Sequence, residues 1–164
     1  MLSLAAEMQA MRAIRLASVE LPSHSFFTPT EEFWRLIKQK HDALIRFFEC
    51  GAGMGRVLDQ AKERGLHMEG CDISYRPGQS DLVSRCDATR LTIFNPFLWP
   101  LVCRPSHDGW IDEVAKTARV RGANMLYAGL PSNYDRDIRH YRTVKLNVVP
   151  VGIEGESLYL IKLI

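Results

Sequence analysis

The sequence predicts an α/β domain: a doubly wound, mostly parallel sheet with helices on both faces. Three observations carry that prediction. Between Leu44 and Arg64 an apolar strand runs into a glycine-rich turn and directly on into a helix. Short apolar runs then alternate with helical segments as far as Ala128, the pattern of parallel βαβ units. Finally, two β-rich runs, Thr143–Val151 and Ser157–Ile164, flank the loop Gly152-Ile153-Glu154-Gly155-Glu156 and read as an antiparallel hairpin.

The elements follow in order. Leu21-Pro22-Ser23-His24-Ser25 reads as a loop, after which Thr30 caps a helix with Glu31 and Glu32 in its first turn. Phe33, Trp34, Leu36 and Ile37 supply that helix with apolar contacts. The first strand is Leu44–Cys50, and the helix after the glycine turn runs from Arg56 to Arg64, closed by Gly65. A second strand covers His67–Ile73. After the polar break Arg76-Pro77-Gly78-Gln79-Ser80, a short third strand covers Leu82–Cys86. Residues 91–99, with Pro96, form a turn-like connection to a fourth strand, Pro100–Arg104. A helix over Trp110–Val120 ends at Gly122, and a fifth strand takes Asn124–Ala128. A short helical piece near Tyr134–Tyr141 precedes the hairpin.

With 164 residues the chain suits one domain with a buried core, expected over 21–164. The extension at 1–20 is rich in Ala, Leu and Met, and it lacks the apolar core and small-residue cleavage site of a targeting peptide. A surface helix packing on the domain, on a second copy or on a partner subunit is expected there, and Met8 and Met11 leave the start codon open. Lys and Arg number 21 against 19 Asp and Glu, so the net charge of +2 gives no strong pull toward nucleic acid or membrane. No apolar run approaches the ~20 residues that span a bilayer. Cys50, Cys71, Cys86 and Cys103 occur singly in apolar contexts, unlike a secreted disulfide framework, and point to a reducing cytoplasm.

The turn itself reads Glu49-x-Gly51-Ala52-Gly53-x-Gly55. Its glycines admit backbone conformations closed to other residues and let a ligand approach without meeting a Cβ. The helix behind it offers unpaired N–H groups. A dinucleotide fingerprint places its third glycine one residue later. A carboxylate two residues before the first glycine repels a pyrophosphate and suits an ammonium group, which disfavours a nicotinamide oxidoreductase. Strand two ends in Asp72-Ile73, with Asp72 seventeen residues beyond Gly55, a placement suited to ribose hydroxyls. Strand three ends in Cys86-Asp87-Ala88-Thr89.

Together the glycine motif, Asp72-Ile73 and Asp87-Ala88 resemble the class I S-adenosylmethionine (SAM) methyltransferases, over roughly residues 26–164. The resemblance implies seven strands in the order 3-2-1-4-5-7-6, SAM as the cofactor and S-adenosylhomocysteine as its product. It implies that Glu49 contacts the methionine part of SAM beside Gly51, Ala52, Gly53 and Gly55. It also implies that Asp72 binds both ribose hydroxyls, that Ile73 packs on the adenine face, and that Asp87, with the small Ala88 after it, accepts from the adenine amino group. Phe26-Phe27-Thr28-Pro29 looks like an element of many DNA methyltransferases, which puts Thr28 on the SAM carboxylate. Plainer uses stand beside these: Glu49 can brace the loop, Asp72 can form a turn, and Thr28 can belong to an ordinary helix entry.

Asn95-Pro96-Phe97 lacks one proline of the amino-methylating motif and precedes strand four, so it is not the catalytic motif. Strand four opens instead onto Arg104-Pro105-Ser106-His107-Asp108-Gly109-Trp110. His107, with an unperturbed pKa of about 6.5, can take a proton from a nucleophile, and Arg104 can hold an acidic substrate group. Asp108 competes with this as a simple helix cap. The cysteines lack the paired spacing of zinc ligands, so no metal is expected. Methyl transfer needs no acid for its leaving thioether and can rest on positioning alone. There is no room for a DNA target-recognition region, so the expected acceptor is a small molecule or a protein side chain, with no membrane involved. A non-catalytic SAM-binding module and a SAM-cleaving lyase or hydrolase are the alternatives.

Overall fold

The computed structural model describes residues 26–105, 109–130 and 141–162. His107, Asp108, the extension at 1–20 and nearly all of the helical piece near Tyr134–Tyr141 lie outside the described residues.

Helix α1 (Glu31–Asp42) leads into strand β1 (Arg46–Cys50), followed by helix α2 (Arg56–Glu63) and strands β2 (Glu69–Asp72) and β3 (Val83–Arg85). A single 3-10 turn at Ala88–Arg90 precedes β4 (Leu98–Cys103), helix α3 (Trp110–Val120) and β5 (Met125–Gly129). The strands β6 (Thr143–Lys145) and β7 (Ser157–Ile161) complete one seven-stranded sheet in the order β3-β2-β1-β4-β5-β7-β6. The first five strands in that row pair in parallel, and β7 runs antiparallel to both β5 and β6. The strand order reverses between β1 and β4, where α/β sheets open a crevice for ligands.

Burial explains why these segments take these positions. Every residue of β5 and β7 is buried, and β4 is buried from Trp99 on, as the near-continuous apolar runs require. Each helix turns one narrow apolar stripe inward: Phe33, Trp34, Leu36 and Ile37 in α1; Val57, Leu58 and Ala61 in α2; Ile111, Val114, Ala115 and Ala118 in α3.

Three local expectations are corrected. Strand β4 starts at Leu98, two residues early, and ends before Arg104. Pro100 is accommodated because pairing to β5 begins only at Leu101, so at the proline the strand has a single neighbour. Strand β6 stops at Lys145 instead of reaching Val151. There the Asn147 side chain takes over the ladder, accepting from Leu158 N at 2.6 Å and donating to Val149 O at 2.6 Å. Thr30 does occupy the N-cap of α1, but its side chain does not cap the helix. Its hydroxyl donates to Pro150 O at 2.9 Å.

That last bond belongs to a clasp. Thr30 N donates to Val151 O at 2.9 Å, and Ile153 N donates to Thr28 O at 3.1 Å. The segment before α1 is thereby fastened to the loop before β7.

Candidate functional site

A cavity of about 680 Å³ opens at the C-terminal ends of β1 to β4. Glu49, Gly51, Ala52, Gly53, Asp72, Ile73, Asp87, Ala88 and Arg104 all line it, as do Phe26, Phe27, Arg56, Arg76, three cysteines and Trp110. Thr28 and Gly55 do not. Thr28 spends its carbonyl in the clasp while Phe26 and Phe27 face the cavity. Gly55, at φ 82°, starts α2, and a Cβ there would meet Ser80 Cβ at 2.6 Å and Val83 Cγ2 at 2.7 Å. Its glycine is required by packing against the β3 side.

The turn is built from backbone bonds and one carboxylate. Ala52 N donates to Cys71 O at 2.9 Å, and Gly55 N to Ala52 O at 2.9 Å. Gly53 N donates to Asp72 Oδ2 at 2.8 Å, while Ser74 N donates to Asp72 Oδ1 at 2.9 Å. A carboxylate has about four acceptor positions, so each oxygen keeps capacity for one more donor. Asp72 therefore braces the turn and remains available to a ligand.

Glu49 differs. It is 3 % exposed, and its Oε2 has no hydrogen-bond partner among the described residues. Burial first, and then the Asp72 charge, push its carboxyl well above the usual range. A buried carboxylate is costly unless something pairs with it. Glu49 is thus prepared for a cation or a hydrogen-bond donor entering the cavity.

Asp87 accepts from Thr89 Oγ1 at 2.6 Å and Thr89 N at 2.9 Å, and these bonds, with Arg90 nearby, hold its carboxyl below the usual range. Ala88 is buried beside it, whereas Ile73 is 67 % exposed at the rim. Cys71, Cys86 and Cys103 line the floor. Burial, then contact with Cys86, pushes the Cys71 thiol up, and burial does the same to Cys103. No three His, Cys, Asp or Glu side chains among the described residues are grouped to hold a metal ion.

At the end of β4, Arg104 takes a left-handed conformation, φ 44°, with its N–H donating to Ala128 O at 2.7 Å. Its Nη1 donates to Glu156 Oε1 at 3.3 Å. Glu156 is completely buried, and its Oε2 accepts from Glu154 N at 3.1 Å. Sequence reasoning missed Glu156 because it sits in the Gly152-Ile153-Glu154-Gly155-Glu156 loop, which reads as solvated. The available signal was its place directly before the largely apolar run of β7. Trp110 was also missed. Its ring closes over Gly51, where a Cβ would lie 3.0 Å from Cη2.

This sheet order, with its terminal antiparallel hairpin, is the class I methyltransferase fold. Solved structures share it at low sequence identity. The methyltransferase domain of bacterial CtHen1-CN matches with a TM-score of 0.51 and 11 % identity, over 80 % of this chain and 97 % of that one. The Burkholderia thailandensis 1,6-didemethyltoxoflavin-N1-methyltransferase, with bound 1,6-didemethyltoxoflavin and S-adenosylhomocysteine, gives 0.54 and 14 % over 98 % of this chain and 90 % of its own. The Pyrococcus abyssi tRNA (uracil-54, C5)-methyltransferase, in complex with S-adenosyl-L-homocysteine, gives 0.51 and 17 % over 85 % of this chain and 40 % of its own. No protein-family model matches the sequence, and no curated protein matches it.

Proposed function

We propose that the chain is a SAM-dependent methyltransferase acting on a small molecule or a protein side chain. One observation carries this reading: the buried carboxyl of Glu49 has an oxygen without a partner inside the cavity, beside a glycine turn that Asp72 holds open. An ammonium group answers the first feature, and a pair of ribose hydroxyls answers the second. The residues present fit SAM on both counts, and the space above Gly53 is clear of other atoms for 4 Å.

SAM, when bound, supplies an activated methyl group on sulfur. The chain's own share is positioning. Glu49 holds the amino group, Asp72 the ribose, and Asp87 with the apolar Ile73 and Ala88 the base. Phe26, Phe27 and Trp110 wall the cavity against water, which favours a direct in-line displacement over competing hydrolysis. The free thiols of Cys50, Cys71, Cys86 and Cys103 suit the reducing cytoplasm we assign to the protein.

Calorimetric titration with S-adenosylhomocysteine tests the assignment. The wild type should bind, and Asp72→Ala should weaken binding roughly tenfold or more through loss of charged hydrogen bonds. Equal affinity in a folded Asp72→Ala variant would sink the reading. Methylthioadenosine released from SAM without an acceptor would instead identify a cofactor-cleaving enzyme.

A further inference from the structure

Three arginines line the cavity, and they are used differently. The Arg56 guanidinium lies over the Phe26 ring, 4.9 Å from its centroid. Among the described residues, Arg104 alone of the three has an ion-pair partner, Glu156, and its side chain is 16 % exposed. The partnership is slight for so enclosed a cation. A guanidinium carries five N–H donors in a planar fork, and one bond of 3.3 Å to Glu156 engages a single nitrogen. No other acceptor among the described residues meets it. Glu156, by contrast, is fixed on both oxygens by Arg104 and by Glu154 N. The anchor is rigid and the fork is under-used.

The backbone points the same way. Among the described residues, Arg104 is one of two other than glycine at positive φ, a conformation that costs energy and recurs where a ligand site demands it. It stands three residues beyond Leu101, the register partner of Glu49 on the neighbouring strand. The Cys103 thiol lines the same cavity, and after burial the charges of Glu49 and Glu156 push it up further. Among the described residues, the cavity thus offers, on adjacent strand ends, an acid with one unpartnered oxygen and a cation with spare donors.

We propose that Arg104, positioned by Glu156, is the carboxylate-binding group of this cavity. With Glu49 it forms a cradle for a ligand bearing both an ammonium and a carboxylate, or for two ligands that bring one each. Planar guanidinium donors match a carboxylate in bidentate fashion, which an isolated ammonium does not. The carboxylate belongs either to the amino-acid end of the cofactor or to the acceptor. The first source rests on the methyltransferase reading above.

Two arms of one titration separate the sources. In the first, S-adenosylhomocysteine is compared with its decarboxylated analogue, S-adenosyl-3-thiopropylamine. In the second, protein saturated with S-adenosylhomocysteine is titrated with phenylacetate and with phenylacetamide, read by ligand NMR. If the cofactor is the source, the wild type favours S-adenosylhomocysteine roughly tenfold or more, and Arg104→Gln erases that preference while keeping affinity for the analogue. Glu156→Gln reduces the preference partway, a ratio that simple loss of stability would not change. If the acceptor is the source, the two nucleosides bind alike and phenylacetate binds in preference to phenylacetamide, again only with Arg104 present. Discrimination in neither arm, or discrimination that survives Arg104→Gln, overturns the proposal. Failure of both nucleosides to bind removes the methyltransferase reading alone, since the phenylacetate arm, run without nucleoside, still judges Arg104.

Discussion

The two sides of the sheet, divided between β1 and β4, handle charge in opposite ways. On the β1–β3 side, carboxylates lean mainly on neutral donors: Asp72 takes Gly53 N and Ser74 N, and Asp87 takes the hydroxyl and N–H of Thr89, with the exposed Arg90 at 3.7 Å as a looser ion-pair partner. On the β4–β7 side, charge meets charge in the Arg104–Glu156 pair. Glu49 ends β1 at the boundary and has neither kind of partner on its Oε2. Bonds from neutral donors leave acceptor capacity on each acid, so the first side stays receptive to hydroxyl and amino groups. A buried ion pair demands close packing around it. The difference makes one side tolerant and the other brittle.

Gly152 tests the brittle side and carries the largest expected effect. A Cβ there would lie 2.0 Å from Glu156 Oε2 and 2.8 Å from Phe27 Cε2. Gly152→Ala must displace the carboxylate or the ring, and we expect a loss of about 3 kcal/mol, the scale of a broken buried pair or severe overpacking. Urea denaturation reads it directly. A midpoint equal to wild type would show that the loop yields and that the pair is less constrained than its burial implies.

The boundary residue gives an intermediate effect. Because the Glu49 carboxyl is raised in the folded protein, that state keeps a proton which the unfolded chain has already released. Its contribution is complete below the unfolded carboxylate range, about pH 4, and is lost as pH rises through the folded value. Glu49→Gln removes this slope, so the variant should gain stability relative to wild type as pH is raised, measured by thermal midpoints across a pH series. A bound ammonium group favours the ionised form, so uptake of S-adenosylhomocysteine should expel a proton. Calorimetry in buffers of different ionisation enthalpy detects that proton, and identical heats would contradict it.

The tolerant side should respond least. Asp87 is half-exposed and held by Thr89, so Asp87→Asn should lower S-adenosylhomocysteine affinity only a few-fold, within the range of one exposed hydrogen bond. A loss as large as that of Asp72→Ala would erase the contrast between neighbouring acids.

The same divide marks what could be read from the amino acids. Glu49, Asp72 and Asp87 were legible because each closes an apolar run and the glycines fix the interval between them. Alternation and the terminal hairpin gave the fold class, whereas the strand order came only with the methyltransferase resemblance that these residues carry. Glu156 was hidden because an acid next to a glycine in a connecting loop resembles any surface turn, and only the folded structure buries it. The length of β6 was hidden for a related reason: a single side chain, Asn147, supplies the bonds that a longer strand would have supplied. The left-handed Arg104 carries no signature at all, since nothing about arginine favours that conformation.

The clasp between residues 28–30 and 150–153 has a bearing on how the protein is made. Phe26 and Phe27 precede the parallel strands in the chain, but the bonds that fasten the adjoining Thr28 and Thr30 involve Pro150, Val151 and Ile153, which follow those strands. The five parallel strands can form while one wall of the cavity is still unattached. Ligand capture should therefore come later in a growing chain than pairing of the parallel strands.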